Sequence, residues 1–498
     1  MKCPLLIGID AGTSNIKAGL YDAQGTLLRE LSAKIVCFSS GRGRLEMDLD
    51  RLMADLLEIL RNLTGDSSRQ VAGIGFSVTS PTVILLDRRG GALLPGITYL
   101  DNRSTGEVLH YVEALGGDAA FWARIGNSPS PSTCSAGTMI WLKRNQPEQW
   151  RRTWKAGYLN TFLAAQFTGM FAADRTVASY SGLLQLAAPD GWDMDLAAAA
   201  GLEADMLPEI LDSAAKVGGL TASMAALTGL PEGTPVAIGS ADTAAAAFAL
   251  GINRHGDVFH SMGTSEVLSF CLERPEFHRA FMNRCHIIPG RWLAHGAMST
   301  TGAAISWLLH NIFPEYQSEQ QLETVARRAP AGSNGVLFLP YLSGERSPFF
   351  DPKASGCFLG VTINTRREDL LRAVYEGAAF GMKQIFKIAA GKWHLYPDAI
   401  ICIGGGTKSS LAVQTRADVL GLPYRVARLE AAAQYGAALL GGLAAGVFSD
   451  WQDLPRPEKI ERTVLPIREN HILYEKLSRI YERLYPSLKE AMHDLYEL

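Results

Sequence analysis

Apolar and polar residues alternate at the start of the chain. Leu5, Ile7 and Ile9 lead into a Gly-Thr-Ser stretch at 12–14, and Ile16, Ala18 and Leu20 lead away from it. Period two on both sides predicts strand, loop, strand. From Asp48 to Arg61 the spacing becomes helical, with Leu49, Leu52, Met53, Leu56, Leu57 and Leu60 on one face. "VAGIGFSV" and "TVILLD" read as buried strands, residues 126–137 as a Ser/Pro-rich loop, and Trp141–Trp154 and Tyr158–Phe167 as helices. Gly233–Gly251 predicts a strand, a turn at Gly239-Ser240 and an alanine-rich helix. The second half repeats this grammar. Strands flank another Gly-Thr-Ser at 263–265, and a strand, loop and helix follow over 290–313. A helix is predicted over Glu368–Lys387. "AIICIGGGTKSS" then gives a strand and a triple-glycine turn into a helix that stops at Gly421. The tail, Asn470–Tyr496, is amphipathic and is expected to bend at Pro486. Strands alternating with helices in two similar halves predict an α/β fold.

Composition narrows the class. At 498 residues the chain exceeds what one core usually supports, so two lobes are expected. A net charge of −3 without a basic block argues against a nucleic-acid partner. The seven cysteines, Cys3, Cys37, Cys134, Cys271, Cys285, Cys357 and Cys402, never form C-x-x-C. That usage suits a reducing compartment and suggests neither a disulfide framework nor a zinc site. The richest apolar stretch, Tyr435–Phe448, is short and interrupted by glycine, and the first residues lack a signal-peptide pattern. The expectation is a cytoplasmic protein.

The first loop is neither a Walker loop nor a dinucleotide loop, since G-x-x-x-x-G-K-[ST] and G-x-G-x-x-G are both absent there. A glycine and hydroxyls in a hairpin can still turn backbone N–H groups toward one anion. Asp10 ends an apolar strand, where a carboxylate suits a hydrated Mg²⁺ or an Asx-turn equally. Lys17 on the returning strand suits a terminal phosphate or a solvated charge. Asp242 heads the alanine-rich helix, fitting either a carboxylate that takes a hydroxyl's proton or a helix N-cap. The "GGGTKSS" turn lets a backbone approach a flat ligand, ahead of a helix N-terminus.

These motifs together resemble the FGGY family of carbohydrate kinases, within the actin and sugar-kinase superfamily, from the first strand to about Val447. "DAGTSNIK" resembles its first phosphate loop and "SADTAAAAFALG" the block with its catalytic aspartate. "HSMGTS" resembles the second phosphate loop, "GCFLGVTINTRREDLLRAVYE" the C-terminal signature and "GGGTKSSLAVQTRAD" the adenosine motif. "PYLSGER" resembles xylulose and gluconate kinases in particular. The resemblance implies two ribonuclease-H-like lobes with an interlobe cleft that closes on the substrate. The expected division is 1–247 and 248–447, with 448–498 a helical tail packed on the body. It implies Asp242 as general base and Asp10 serving Mg²⁺. Implied ATP contacts are Thr13, Ser14, Asn15, Lys17, Thr264, Gly302, Ser306, Gly405 and Ser409. Substrate contacts would come from Thr79, Ser80, Asp101 and Arg103 together with Asp242. Many members of the family are dimers, so a homodimer is compatible with the resemblance.

Departures bear on the substrate. Xylulose kinases carry Gln-Met-His where this chain has Thr79-Ser80-Pro81, so the Met-His pair that contacts xylulose is missing. The lysine of the N-terminal signature, before Met-Ile-Trp-Leu, is Thr138 here. "ITYLDNRS" is closest to gluconate kinases, and its Arg103 could bind a sugar carboxylate or pair with Asp101. The expected activity is ATP-dependent phosphorylation of a primary hydroxyl, on D-xylulose or a related ketose, with gluconate, polyols and tetruloses as alternatives. A catalytically idle ATP- or sugar-binding protein is the alternative of another class.

Overall fold

The computed structural model describes residues 4–429, 431–455 and 460–498; Cys3 lies outside them. The other six cysteines are free thiols. Among the described residues no helix is long and apolar enough to cross a membrane.

Two seven-stranded mixed sheets form the body, and they share one strand plan. In the first, Leu27–Lys34, Asn15–Asp22 and Leu5–Ala11 run antiparallel in that spatial order. Val71–Val78 then joins parallel to Leu5–Ala11, and Pro235–Ala237 and Ser240–Ala241 join parallel to it, with Lys216–Gly219 antiparallel at the edge. The second sheet repeats the plan. Trp292–Met298, Glu266–Leu272 and Val258–Met262 run antiparallel, then Ile400–Ile403 and Tyr424–Ala427 join in parallel, and Ile460–Val464 closes antiparallel. Met282–Cys285 adds one further edge strand. This is the two-lobed α/β fold the two halves of the sequence foreshadow.

The first sheet buries Leu5, Ile7, Ile9, Ile16, Ala18 and Leu20. On one side it packs helix Leu49–Thr64, whose N-cap Asp48 accepts from the Arg51 N–H. On its other side lies helix Ala432–Ala444, from the stretch expected to belong to the second lobe. Three glycines side by side on adjacent strands make room for it, Gly19 and Gly75 each pairing with Gly8. A Cβ at Gly8 would stand 2.0 Å from the Gln434 carbonyl oxygen, and one at Gly75 2.0 Å from that of Ala437. The helix backbone therefore lies almost on the sheet, and this contact couples the lobes.

Two helical predictions need adjustment. The helix expected over Trp141–Trp154 begins earlier and is two helices, Ala136–Asn145 and Pro147–Arg152, because Pro147 favours a first-turn position and starts a new helix. The helix expected over Glu368–Lys387 runs Arg367–Trp393. The tail is one helix, Arg468–Glu497, with Pro486 inside it. It packs on the body through buried Tyr474, Tyr481 and Tyr485, the last stacked on Phe349 at 3.7 Å.

Candidate active site

Both Gly-Thr-Ser loops stand at the end of the first strand of their sheet, where the parallel neighbours also end. The copies differ by one residue. Between paired Ala11 and Ile16 lie four residues, whereas between paired Met262 and Glu266 lie three. Strand pairing opposes Asp10 to Lys17 in the first copy and Ser261 to Val267 in the second. Only the first loop has a carboxylate and an ammonium facing each other.

Asp10 accepts from the Ser77 hydroxyl at 2.7 Å, across the parallel strand pair. The next strand over, Ser240–Ala241, delivers Asp242 as the first residue of helix Asp242–Ala249. Asp242 is not the N-cap, which is Ala241. Its Oδ1 accepts from the Thr243 N–H at 2.6 Å and the Thr243 hydroxyl at 3.0 Å, leaving Oδ2 without a hydrogen bond among the described residues. Burial pushes the Asp10 carboxyl up to about 7; the Ser77 bond opposes the rise, and the Asp242 charge adds to it. Burial also raises Asp242, against the bonds from Thr243. Two desolvated carboxylates, with the charge of Asp242 felt at Asp10, favour a cation nearby. A hydrated Mg²⁺ takes one or two carboxylates, with water and phosphate oxygens completing its octahedron, so this donor pair fits it. Among the described residues no group of three or more His, Cys, Asp or Glu side chains could form a fuller metal cage.

A support beneath Asp242 has little sequence signal. Buried Asp174 accepts from Asn160 at 3.0 Å, Ser213 at 2.8 Å and the Thr176 hydroxyl at 2.7 Å. The Thr176 oxygen in turn accepts the Ala241 N–H at 2.8 Å, fixing the residue before Asp242. Only the Asp-x-Thr spacing, which resembles a helix cap, hinted at this.

Of the expected sugar contacts, Thr79 is buried beside the first loop, its hydroxyl 3.2 Å from that of Thr13. The Thr13 hydroxyl also lies 3.4 Å from the phenol of Tyr99, a residue sequence reasoning passed over. The Ser80 hydroxyl is turned back to the Val78 carbonyl at 3.2 Å. Asp101 and Arg103 serve each other. Arg103 donates from Nε and Nη2 to Asp101 at 2.9 and 2.7 Å, and from Nη2 to Glu46 at 2.7 Å, while its guanidinium lies 5.0 Å from the Trp141 ring centre. Its side chain is only 5% exposed. Of the two roles left open for Arg103, the structure has the ion pair.

Five expected ATP contacts, Thr264, Gly302, Ser306, Gly405 and Ser409, line one 900 Å³ cavity in the second lobe. Thr13, Ser14, Asn15 and Lys17 belong to the first hairpin and do not line it. The glycines of the triple turn separate by role. Gly404 takes a φ of +101° with its Cβ position 2.4 Å from the Met262 carbonyl oxygen, and Gly406 also lies against Met262. A Cβ at Gly405 would meet no described atom within 4 Å, so the space above Gly405 is open to a ligand. Gly302 is required by packing, since its Cβ would stand 2.2 Å from the Gly263 carbonyl oxygen. The helix N-terminus after the triple turn is already occupied. The Ser409 hydroxyl accepts from Ala412 N–H at 3.0 Å, and Glu323 accepts from Leu411 N–H at 2.9 Å. Glu323, on helix Glu319–Ala326, was unmarked in the sequence. The Ser306 hydroxyl donates to Glu319 at 2.7 Å.

Comparison with known proteins agrees with this geometry. Residues 5–249 match the N-terminal domain of the FGGY family of carbohydrate kinases, and residues 258–445 match its C-terminal domain. A xylulose kinase of Lactococcus lactis is 26% identical, covering 99% of this chain and 98% of its own. A gluconokinase of Bacillus subtilis is 23% identical, covering 98% of each. The crystal structure of xylulose kinase from Rhodospirillum rubrum superposes with a TM-score of 0.92 at 29% identity, over 98% of this chain and all of that one. The chain belongs to the FGGY family of carbohydrate kinases.

Proposed function

We propose that this kinase transfers the terminal phosphoryl group of ATP to a primary hydroxyl of a small, neutral, open-chain sugar, with D-xylulose or a related ketose as its acceptor. The observation that carries the reading is Asp242. Its Oδ2 is unengaged among the described residues, its carboxyl is raised by burial, and only strand Val71–Val78 separates its strand from that of the Asp10–Lys17 pair of the first phosphate loop. A buried carboxylate with a raised pKa is a better proton acceptor than a solvated one. Asp242 would take the acceptor hydroxyl's proton as the oxygen attacks, and the Gly-Thr-Ser loops would hold the phosphates from two lobes. Asp10, with Asp242 nearby, would hold a hydrated Mg²⁺, which supplies charge neutralisation to the phosphates when bound. Closing the cleft would keep water from the transferred group. We assign the enzyme to the cytoplasm.

The preference for a neutral acceptor rests on Arg103, whose charge is already matched by Asp101 and Glu46. An aldonate would find no carboxylate reader there. The test is ADP release over a panel of ketoses, polyols and aldonates. Turnover should be best with a neutral ketose. Turnover confined to gluconate would overturn the acceptor class, though not the kinase reading.

A further inference from the structure

The Ser-Gly-Glu-Arg motif at 343–346 has no role in the account above, yet it is tied to the strand beside the second Gly-Thr-Ser loop. The loop carrying it is stitched to the end of strand Trp292–Met298. The Ser347 N–H donates to the Ala297 carbonyl at 2.9 Å, and the Ala297 N–H returns to the Ser347 hydroxyl at 3.0 Å. Glu345, only 4% exposed, accepts through Oε1 from the N–H groups of Ser299 and Arg346, both at 2.8 Å. That clamp fixes the backbone from which the Arg346 side chain leaves. Arg346 Nη2 donates to the Met298 carbonyl at 3.2 Å. Met298 pairs with Glu266, the residue that follows the second Gly-Thr-Ser loop. Burial lowers the Arg346 guanidinium, and the Glu345 carboxylate beside it opposes that.

Arg346 thus stands in the second lobe, beside the strand pair that carries its Gly-Thr-Ser loop. Its remaining N–H groups have no partner among the described residues. The neighbouring arginines are not available in this way. Arg103 is bound by Asp101 and Glu46, Arg327 by Glu323 at 2.6 Å, and Arg416 by Glu266.

We propose that Arg346 is a catalytic residue, the guanidinium from the second lobe that meets the transferred phosphoryl group, with Glu345 as its positioning residue. This rests on the kinase reading of the same cleft. In the transfer, the acceptor oxygen forms its bond to the terminal phosphorus as the bond from that phosphorus to the bridging oxygen breaks. The electron pair of the broken bond stays with ADP, and the acceptor proton passes to Asp242. Arg346 exchanges no proton. Its fork of N–H donors matches the non-bridging phosphoryl oxygens, where charge redistributes in the transition state. Because it comes from the lobe opposite Asp242, the contact would complete only when the cleft is closed.

The test compares wild type with Arg346→Ala and Arg346→Lys by steady-state kinetics, using the best acceptor of the panel. Arg346→Ala should lower kcat on the order of 10²–10³-fold, with KM for ATP and acceptor changed less than about 3-fold and an unaltered thermal midpoint. Arg346→Lys should recover part of the loss. An unchanged kcat overturns the proposal, as does a raised acceptor KM at constant kcat, which would make Arg346 a reader of the acceptor. Calorimetric affinities for ADP and for a non-hydrolysable ATP analogue provide a second measurement that needs no turnover. Wild type should prefer the analogue, and Arg346→Ala should lose that preference while binding ADP as before; equal preferences overturn the proposal. If no acceptor supports turnover in wild type, the kinase reading fails while this binding comparison still judges Arg346.

Discussion

Replacing Arg416 by methionine should destabilise the second lobe by about 3 kcal/mol. Glu266 immediately follows the second Gly-Thr-Ser loop, and its carboxylate is buried with two partners. Arg416 Nε lies 2.9 Å from Oε2 with Nη2 on Oε1, and His260 Nε2 is also 2.9 Å from Oε2. Neither Glu266 nor Arg416 is more than 4% exposed in its side chain. Burial alone would raise the Glu266 carboxyl; instead Arg416, with His260, holds it at about 2 against an ordinary 4.5. At about 1.4 kcal/mol per pKa unit, that depression corresponds to about 3 kcal/mol at neutral pH. Arg416→Met keeps the volume but leaves the carboxylate in a low-dielectric site, a change that costs about 3–5 kcal/mol in comparable buried pairs. The assay is urea unfolding from pH 7 down to pH 2. Because the folded pKa is depressed, the contribution is complete above pH 4.5 and disappears as pH falls toward 2. Wild type should lose stability across that window, and the variant should lack this component. The double variant Arg416→Met/Glu266→Leu should regain more than half of the loss, since no charge is then stranded. A loss under 1 kcal/mol at pH 7, or an acid profile identical to wild type, would refute this reasoning.

Gly75→Ala should destabilise the protein by about 1–3 kcal/mol or prevent its folding, because the added methyl meets the Ala437 backbone; a thermal midpoint within 1 °C of wild type would contradict the close contact. Ser409→Ala removes the hydroxyl that caps helix Ser410–Leu420 and should cost about 1 kcal/mol in urea unfolding, whereas Ser409→Thr should cost less. Arg103→Ala should impair ketose and aldonate turnover alike, because it strands Asp101 at the edge of the proposed sugar site; a loss confined to the aldonate would restore Arg103 as a carboxylate reader.

What could be read from the sequence was local. The alternation around Gly12 marked the first hairpin, and strands were readable on both sides of Gly263. The apolar spacing after Asp48 likewise marked a helix. Asp242 was visible as the first charged residue between a strand and an alanine-rich helix. What could not be read depended on pairing register and on contacts between distant segments. Gly8, Gly19 and Gly75 look like scattered strand glycines until the sheet aligns them under helix Ala432–Ala444. The two roles of Arg103 stayed open in the sequence because Glu46, its second counter-ion, is far away in the chain. Ser409 looked like a free hydroxyl at an anion-binding helix end, but that end is closed by Ser409 itself and by Glu323 from another helix. Arg346 gained meaning only once its bond to Met298, the partner of Glu266, was seen.

The most direct test of the account is acceptor-dependent ADP release by Asp242→Asn. The substitution keeps the shape and can retain the hydrogen bonds from Thr243, but it removes the carboxylate that would accept the proton. The account predicts that turnover with the best ketose falls by a factor on the order of 10²–10⁴, with ATP affinity unchanged by calorimetry. Turnover within a factor of two of wild type would contradict it.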